Sequence, residues 1–283
     1  MRVGFVGLGR MGFPMASHIL AAGHELLVHD TSAEASRRAA EAGMTPVSGL
    51  ADFNNVEVIA LSLPATEHVE AVVLGDGGLA SVLPEGAVCV DMSTISIAGS
   101  RRISERCAAR GITFLDAPVS GTSIHAEDGS LVVMVGGPAQ GFETAQPILD
   151  CFAAQVEHVG ANGAGLELKL ITNRLLTTHL VAIAEAIVSL EKTELSVPQC
   201  LDLLRAGAVP RLLDYKARPL AERDFTPRFT VDLMRKDLRL AADELAPVAL
   251  AAAAHEIVEA TSELGMGDED LAALITVVEQ RSS

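Results

Sequence analysis

Residues 160–194 read GANGAGLELKLITNRLLTTHLVAIAEAIVSLEKTE, and this stretch decides how the chain is organised. Gly160, Gly163 and Gly165 open it, and neither Gly nor Pro follows until Pro198. Leu166, Leu170, Ile171, Leu175, Leu180, Ile183, Ile187 and Leu190 recur at helical spacing, which predicts one long helix. At about 1.5 Å per residue it spans roughly 40 Å, more than one compact layer needs. It therefore reads as a spine between two domains. Lys169 and Asn173, four apart near its start, share one face. A lysine there stands on the wrong side of the helix dipole, which disfavours its cation and favours an anionic neighbour.

Upstream of the spine, strand and helix alternate. Residues 2–6 form an apolar run that enters Gly7-Leu8-Gly9-Arg10-Met11-Gly12, and residues 13–22 are helix-like. A glycine pattern of this kind between a strand and a helix binds dinucleotides. Its glycines permit the tight turn and close approach to a pyrophosphate, whose charge rests on the helix N-terminus. A second strand, residues 25–29, ends at Asp30, where an acid accepts hydrogen bonds from ribose hydroxyls. Asp30 could equally cap the helix over 32–42. Further strands at 56–62, 87–91 and 113–115 predict a parallel, doubly wound sheet with function at the strand C-terminal ends. Leu63, Pro64, Ser93 and Thr94 fall at such ends, as cofactor contacts or as ordinary turn residues. Ser120, Gly121 and Thr122 offer a hydroxyl and consecutive backbone N–H groups, a plausible carboxylate nest or simply a turn. Residues 155–158 read as a last short strand.

After Pro198 the pattern is helical, with breaks at Gly207, Pro210, Pro219, Pro227, Pro247 and residues 265–267. The Ala-rich 249–254 reads as a tightly packed helix. The expected architecture is an α/β Rossmann-type domain over 1–162 and an all-α domain over 163–283, joined by the long interdomain helix.

The composition bounds the function. The 283 residues are 49% hydrophobic but only 3% aromatic, as in an α/β or helical enzyme. A net charge of −16 argues against nucleic acid or anionic membrane as partner, leaving local basic residues to serve a small anion. No signal-peptide pattern opens the sequence, and no apolar run is expected to reach membrane-spanning length. The four scattered cysteines form no CxxC pair, and the histidines show no metal-ligand spacing, so no metal site is expected and a reduced, cytoplasmic setting is.

Four blocks in order, GFVGLGRMGFPMA at 4–16, DAPVSG at 116–121, GANGAGLELKLITN at 160–173 and KDLRLA at 236–241, resemble the β-hydroxyacid dehydrogenase family over nearly the whole chain. The resemblance implies that Lys169 is the catalytic acid/base and that Asn173 orients substrate. It implies a carboxylate site at Ser120, Gly121 and Thr122, and a cofactor site that includes Lys236, with Asp237 structural. It also implies a homodimer or homotetramer. Many members have a second glycine where this chain has Thr122. Thr there resembles relatives acting on glyoxylate or succinic semialdehyde, which draws the substrate away from 3-hydroxyisobutyrate itself. Members preferring NADP usually show Asn-Arg-Thr after the second strand. Here His29-Asp30-Thr31 favours NAD, with Arg37 and Arg38 either solvated or reserved for a phosphate. The reaction implied is interconversion of a small 3-hydroxy (or related) carboxylic acid and its semialdehyde. An NADP(H)-dependent imine reductase shares the architecture, but such relatives usually lack the lysine. A 6-phosphogluconate dehydrogenase would be longer and more basic. A non-catalytic dinucleotide sensor would not need Lys169 and Asn173.

Overall fold

The computed structural model describes residues 1–206 and 212–282, so the expected breaks at Gly207 and Pro210 lie outside the described residues. The chain divides into two compact units, Met1–Lys169 and Leu170–Ser283. The boundary thus falls within the helix Ala164–Glu191, where the sequence places it at the helix start, at 162/163.

The first unit is built on one sheet, of nine strands among the described residues: β1 (Arg2–Val6), β2 (Glu25–His29), β3 (Thr45–Pro46), β4 (Val58–Leu61), β5 (Val88–Asp91), β6 (Thr113–Asp116), β7 (Val119–Ser120), β8 (Leu131–Gly136) and β9 (Ala153–Gly160). Their order is β3-β2-β1-β4-β5-β6-β8-β7, with β9 beside β8. Strands β1 to β6 run parallel. Every residue of β4 and β5 is buried, as expected of central parallel strands covered by helices on both faces. The sheet is not wholly parallel as expected. After β6 the chain runs on through Ala117-Pro118 into β7, and β8 returns antiparallel to both. The helix between β7 and β8, Ser123–Glu127, has five residues, too short for the crossover that parallel pairing needs.

The spine runs unbroken over Ala164–Glu191. Contrary to expectation, it is long and apolar enough, by length and composition, to cross a membrane. Its apolar residues have another use. Leu180, Ile183, Ala184 and Ile187 join Met234, Leu238, Val258 and Leu274 in the core of the second unit. The Ala-rich helix Ala249–Thr261 forms, but its first turns are not tightly packed: Ala254 is buried, whereas Leu250 is 69% exposed. A buried pair, Lys216 Nζ to Asp270 Oδ1 at 2.5 Å, braces this unit. Asp270 Oδ2 also accepts from the Arg228 and Phe229 N–H groups, which orders the approach to the helix Val231–Glu244.

Asp116, at the end of β6, fastens the spine to the sheet. Its buried carboxylate accepts the Gly163 N–H at 2.7 Å, the Leu166 N–H at 3.2 Å and the Ser100 hydroxyl at 3.3 Å. An anion at a helix N-terminus satisfies unpaired N–H groups and suits the dipole. Glycine is required opposite it, because a Cβ at Gly165 would run into the Met134 carbonyl. Burial pushes the Asp116 carboxyl above its ordinary value of 3.8, and the three hydrogen bonds only partly offset this.

Asp116→Ala strands those donors and is expected to cost at least ~2 kcal/mol in a denaturant melt. A raised folded-state pKa means that this group's contribution to stability is full below 3.8 and is lost as pH rises through the folded value. Wild type should therefore lose stability relative to Asp116→Asn as pH rises above 3.8, measurable in melts at a series of pH values. A constant difference would contradict the raised carboxyl.

Candidate active site

In an open parallel sheet, ligands bind beyond the C-terminal strand ends where the strand order reverses. Here that place is the end of β1, with β2 on one side and β4 on the other. The Gly7–Gly12 turn occupies it. Gly7 has φ +95°, and its N–H donates to the His29 carbonyl at 3.0 Å. A Cβ at Gly7 would strike the Ser62 carbonyl, and one at Gly12 the Gly7 carbonyl. Those two glycines are needed for packing of the turn itself. At Gly9 a Cβ would meet nothing within 4 Å, so the backbone there faces open space. A pyrophosphate needs such close, unhindered approach to a turn at a helix N-terminus, here that of Gly12–Ala21, so the residues present fit a dinucleotide.

Asp30 does not cap the helix that follows it. Ser32 does, accepting the Ala35 N–H, and the helix runs Ala33–Glu41. The Asp30 carboxylate instead accepts the Leu8 N–H and the Ser32 N–H, each at 2.7 Å, which ties the glycine turn to the end of β2. Leu63 and Pro64 follow β4, and Ser93 and Thr94 follow β5, on adjacent strands. The Leu63 N–H donates to Ser93 Oγ at 2.8 Å, and the Ser93 N–H to Asp91 Oδ1 at 3.0 Å. Arg10 and Met11 lie in the turn between Gly9 and Gly12.

Ser120 ends β7, and Gly121 and Thr122 lead into the helix Ser123–Glu127. The Thr122 N–H donates to His125 Nδ1 at 3.1 Å, and its hydroxyl lies 3.0 Å from the same atom. The expected run of donors is thus shorter than it looked, because one N–H is already used. His125 was missed in the sequence; its only signal was the three-residue spacing from a capping threonine.

Lys169 is the last residue of the first unit, one turn beyond Leu166, whose N–H bonds to Asp116. It is only 7% exposed. Asn173 and Lys236 belong to the second unit. Asn173 Nδ2 donates to Asp237 Oδ2 at 2.6 Å, and Lys236 Nζ pairs with Asp237 Oδ1 at 3.0 Å. Asp237, expected to be structural, thus joins two residues that the sequence singled out separately. Only contact between two helices could reveal that link.

Comparison with known proteins agrees with this geometry. Residues 2–160 match the family described as the NAD binding domain of 6-phosphogluconate dehydrogenase. Residues 163–278 match the family described as NAD-binding of NADP-dependent 3-hydroxyisobutyrate dehydrogenase. The chain is 37% identical to 3-hydroxyisobutyrate dehydrogenase of Pseudomonas aeruginosa, over 84% of this chain and 83% of that protein. It is 34% identical to 2-(hydroxymethyl)glutarate dehydrogenase of Eubacterium barkeri, over 99% of this chain and 95% of that protein. The structure of Mycobacterium tuberculosis 3-hydroxyisobutyrate dehydrogenase with L-serine matches at TM-score 0.86 and 30% identity, covering 98% of this chain and 99% of that one.

The glycine turn fits a pyridine nucleotide, and the matching families and relatives define an oxidoreductase of that cofactor acting on CH–OH groups. The chain belongs to the β-hydroxyacid dehydrogenase family.

Because nothing packs where a Gly9 side chain would stand, Gly9→Glu should fold normally and place a carboxylate against an approaching pyrophosphate. Dinucleotide affinity is expected to fall at least ~100-fold in a fluorescence titration, from like-charge repulsion at close range. A melt within a few degrees of wild type would show that the fold is intact. Wild-type affinity in a folded variant would remove the turn from the binding site.

Proposed function

We propose that this protein interconverts a small 3-hydroxy (or related) carboxylic acid and its semialdehyde, with Lys169 as acid/base and NAD preferred over NADP. The observation that carries the reading is Lys169, 7% exposed on a helix start fastened to the C-terminal end of β6. Lysine is almost never buried to this degree unless its charge is paired, as that of Lys216 is, or its proton is used. The relatives support the substrate class: 3-hydroxyisobutyrate and 2-(hydroxymethyl)glutarate each combine a carboxylate with an alcohol.

A bound nicotinamide supplies the hydride acceptor in oxidation and the donor in reduction. In oxidation Lys169 takes the proton of the substrate hydroxyl; in reduction it returns that proton to the carbonyl oxygen. General acid/base help of this kind is worth ~10²–10⁴-fold. Asn173, one helical turn on, orients substrate. Its amide is held in place by Asp237 through one N–H. Ser120 and Gly121 receive the carboxylate, while the Thr122 N–H remains with His125. Lys236, anchored by Asp237, serves the cofactor. The description of the second matching family names NADP, yet the end of β2 carries Asp30, whose carboxylate pairs with ribose hydroxyls and repels a 2′-phosphate.

Lys169→Ala should leave the melt and dinucleotide affinity near wild type while kcat falls by about 100-fold or more. Lys169→Arg should do little better, since guanidinium releases no proton near neutral pH. Near wild-type turnover in a folded Lys169→Ala variant would refute the assignment.

Catalytic efficiency with NAD(H) should exceed that with NADP(H), and Asp30→Asn should narrow the gap. Higher wild-type efficiency with NADPH would overturn the role given to Asp30.

A further inference from the structure

Arg38 is the arginine for which the sequence left two uses open, solvated charge or phosphate contact. It lies on the exposed side of the helix Ala33–Glu41, yet its guanidinium is engaged twice. It stacks over the Phe13 ring, 4.0 Å from the centroid, and Nη2 donates to the Leu8 carbonyl at 2.9 Å. Both peptide groups that flank Leu8 are therefore held. The Gly7–Leu8 group is held through its N–H by Asp30, and the Leu8–Gly9 group through its carbonyl by Arg38.

A trans peptide is planar, with its C=O and N–H pointing in opposite directions. Holding the Leu8 carbonyl toward Arg38 therefore also sets the direction of the Gly9 N–H, at the glycine with open space beside it. Glycine on either side of Leu8 would otherwise leave this turn conformationally free. Asp30 and Arg38 lie on one short stretch, from the end of β2 into the next helix, since Ser32, whose N–H bonds to Asp30, caps the helix that carries Arg38. The Phe13 N–H donates to the Gly9 carbonyl at 3.1 Å, so the stacked ring belongs to the first turn after the glycines.

We propose that Arg38 is a positioning residue for dinucleotide binding: it pre-orients the Leu8–Gly9 peptide and so raises affinity for both NAD(H) and NADP(H) without touching the 2′ position. The inference rests on the reading of Gly7–Gly12 as the pyrophosphate turn. A fixed turn loses less conformational entropy on binding, so affinity rises without any new contact to the ligand.

The test compares Arg38→Ala, Arg38→Lys and Phe13→Leu with wild type. Kd for NAD(H) and NADP(H) is measured by fluorescence titration, amide hydrogen exchange is followed in the ligand-free protein, and a melt and steady-state kinetics complete the set. In Arg38→Ala both Kd values should rise by the same factor, about tenfold, as expected for loss of a charged hydrogen bond. Exchange at the Leu8 N–H, which is bonded to Asp30, should quicken before any ligand is added. At saturating dinucleotide, kcat should stay within about twofold of wild type. Arg38→Lys should recover part of the loss, because an ammonium can donate to the carbonyl but cannot stack as a plane. Phe13→Leu should shift both Kd values in the same direction by a smaller factor.

Weakening confined to NADP(H) would overturn the proposal and make Arg38 a 2′-phosphate ligand. Unchanged exchange and unchanged Kd in a folded Arg38→Ala variant would overturn it as well. Gly9→Glu separates the two levels. If it binds dinucleotide like wild type, the pyrophosphate reading fails and this proposal fails with it. If Gly9→Glu loses binding while Arg38→Ala does not, the proposal alone fails.

Discussion

A carboxylate at the end of a central strand holds the beginning of the longest helix. Asp116 accepts two backbone N–H groups, from Gly163 and Leu166, that no residue of the helix itself can satisfy. The arrangement requires a short acid at the last position of β6 and glycine where the helix backbone crosses the sheet. The DAPVSG and GANGAGLELK blocks are thereby two halves of one joint. Lys169, one turn beyond Leu166 in the same unit, inherits its placement from that joint. The cost is a desolvated carboxyl, accepted because leaving helix donors unpaired in a buried place costs more.

The same rule governs two other buried carboxylates, each bound to several backbone or side-chain partners. Asp270 meets Lys216 and the N–H groups of Arg228, Phe229 and Ala272. Asp237 meets Asn173 and Lys236. Both lie in the helical unit, where nearly all backbone hydrogen bonds are local and loops need polar anchors. The spine illustrates the converse for apolar residues. A helix apolar enough to span a membrane is what results when one segment supplies much of the core of a helical unit.

The glycine turn depends on two neighbours that the motif does not contain. Gly7 and Gly12 permit the turn sterically, but a permitted conformation is not a selected one. Asp30 and Arg38, both following β2, bond to either side of Leu8 and select it. Asp30 thus carries a structural duty together with the one proposed for it at the ribose, and a substitution there touches both.

Periodicity and punctuation made most of the architecture legible. Alternating strands and helices, the GLGRMG turn and the glycine-free run after Gly165 led to a Rossmann-type unit, a helical unit and a spine, because local hydrogen bonding and side-chain period are written in consecutive residues. The antiparallel return of β8 was not legible, since strand direction depends on where the chain can reach rather than on composition. The exposed first turns of the Ala-rich helix were likewise hidden, because alanine packs well at close contacts but does not create them. Family motifs pointed to Lys169, Asn173, Lys236 and the Ser120–Thr122 loop. Tertiary structure alone decided that Asp237 joins Asn173 to Lys236, that His125 claims the Thr122 N–H, and that Arg38 grips Leu8 rather than standing in solvent. Apart from the short cap at His125 and the adjacent Lys236–Asp237 pair, these links cross between elements apart in sequence. A linear pattern records which groups are available to bond, and only the folded chain determines which of them meet.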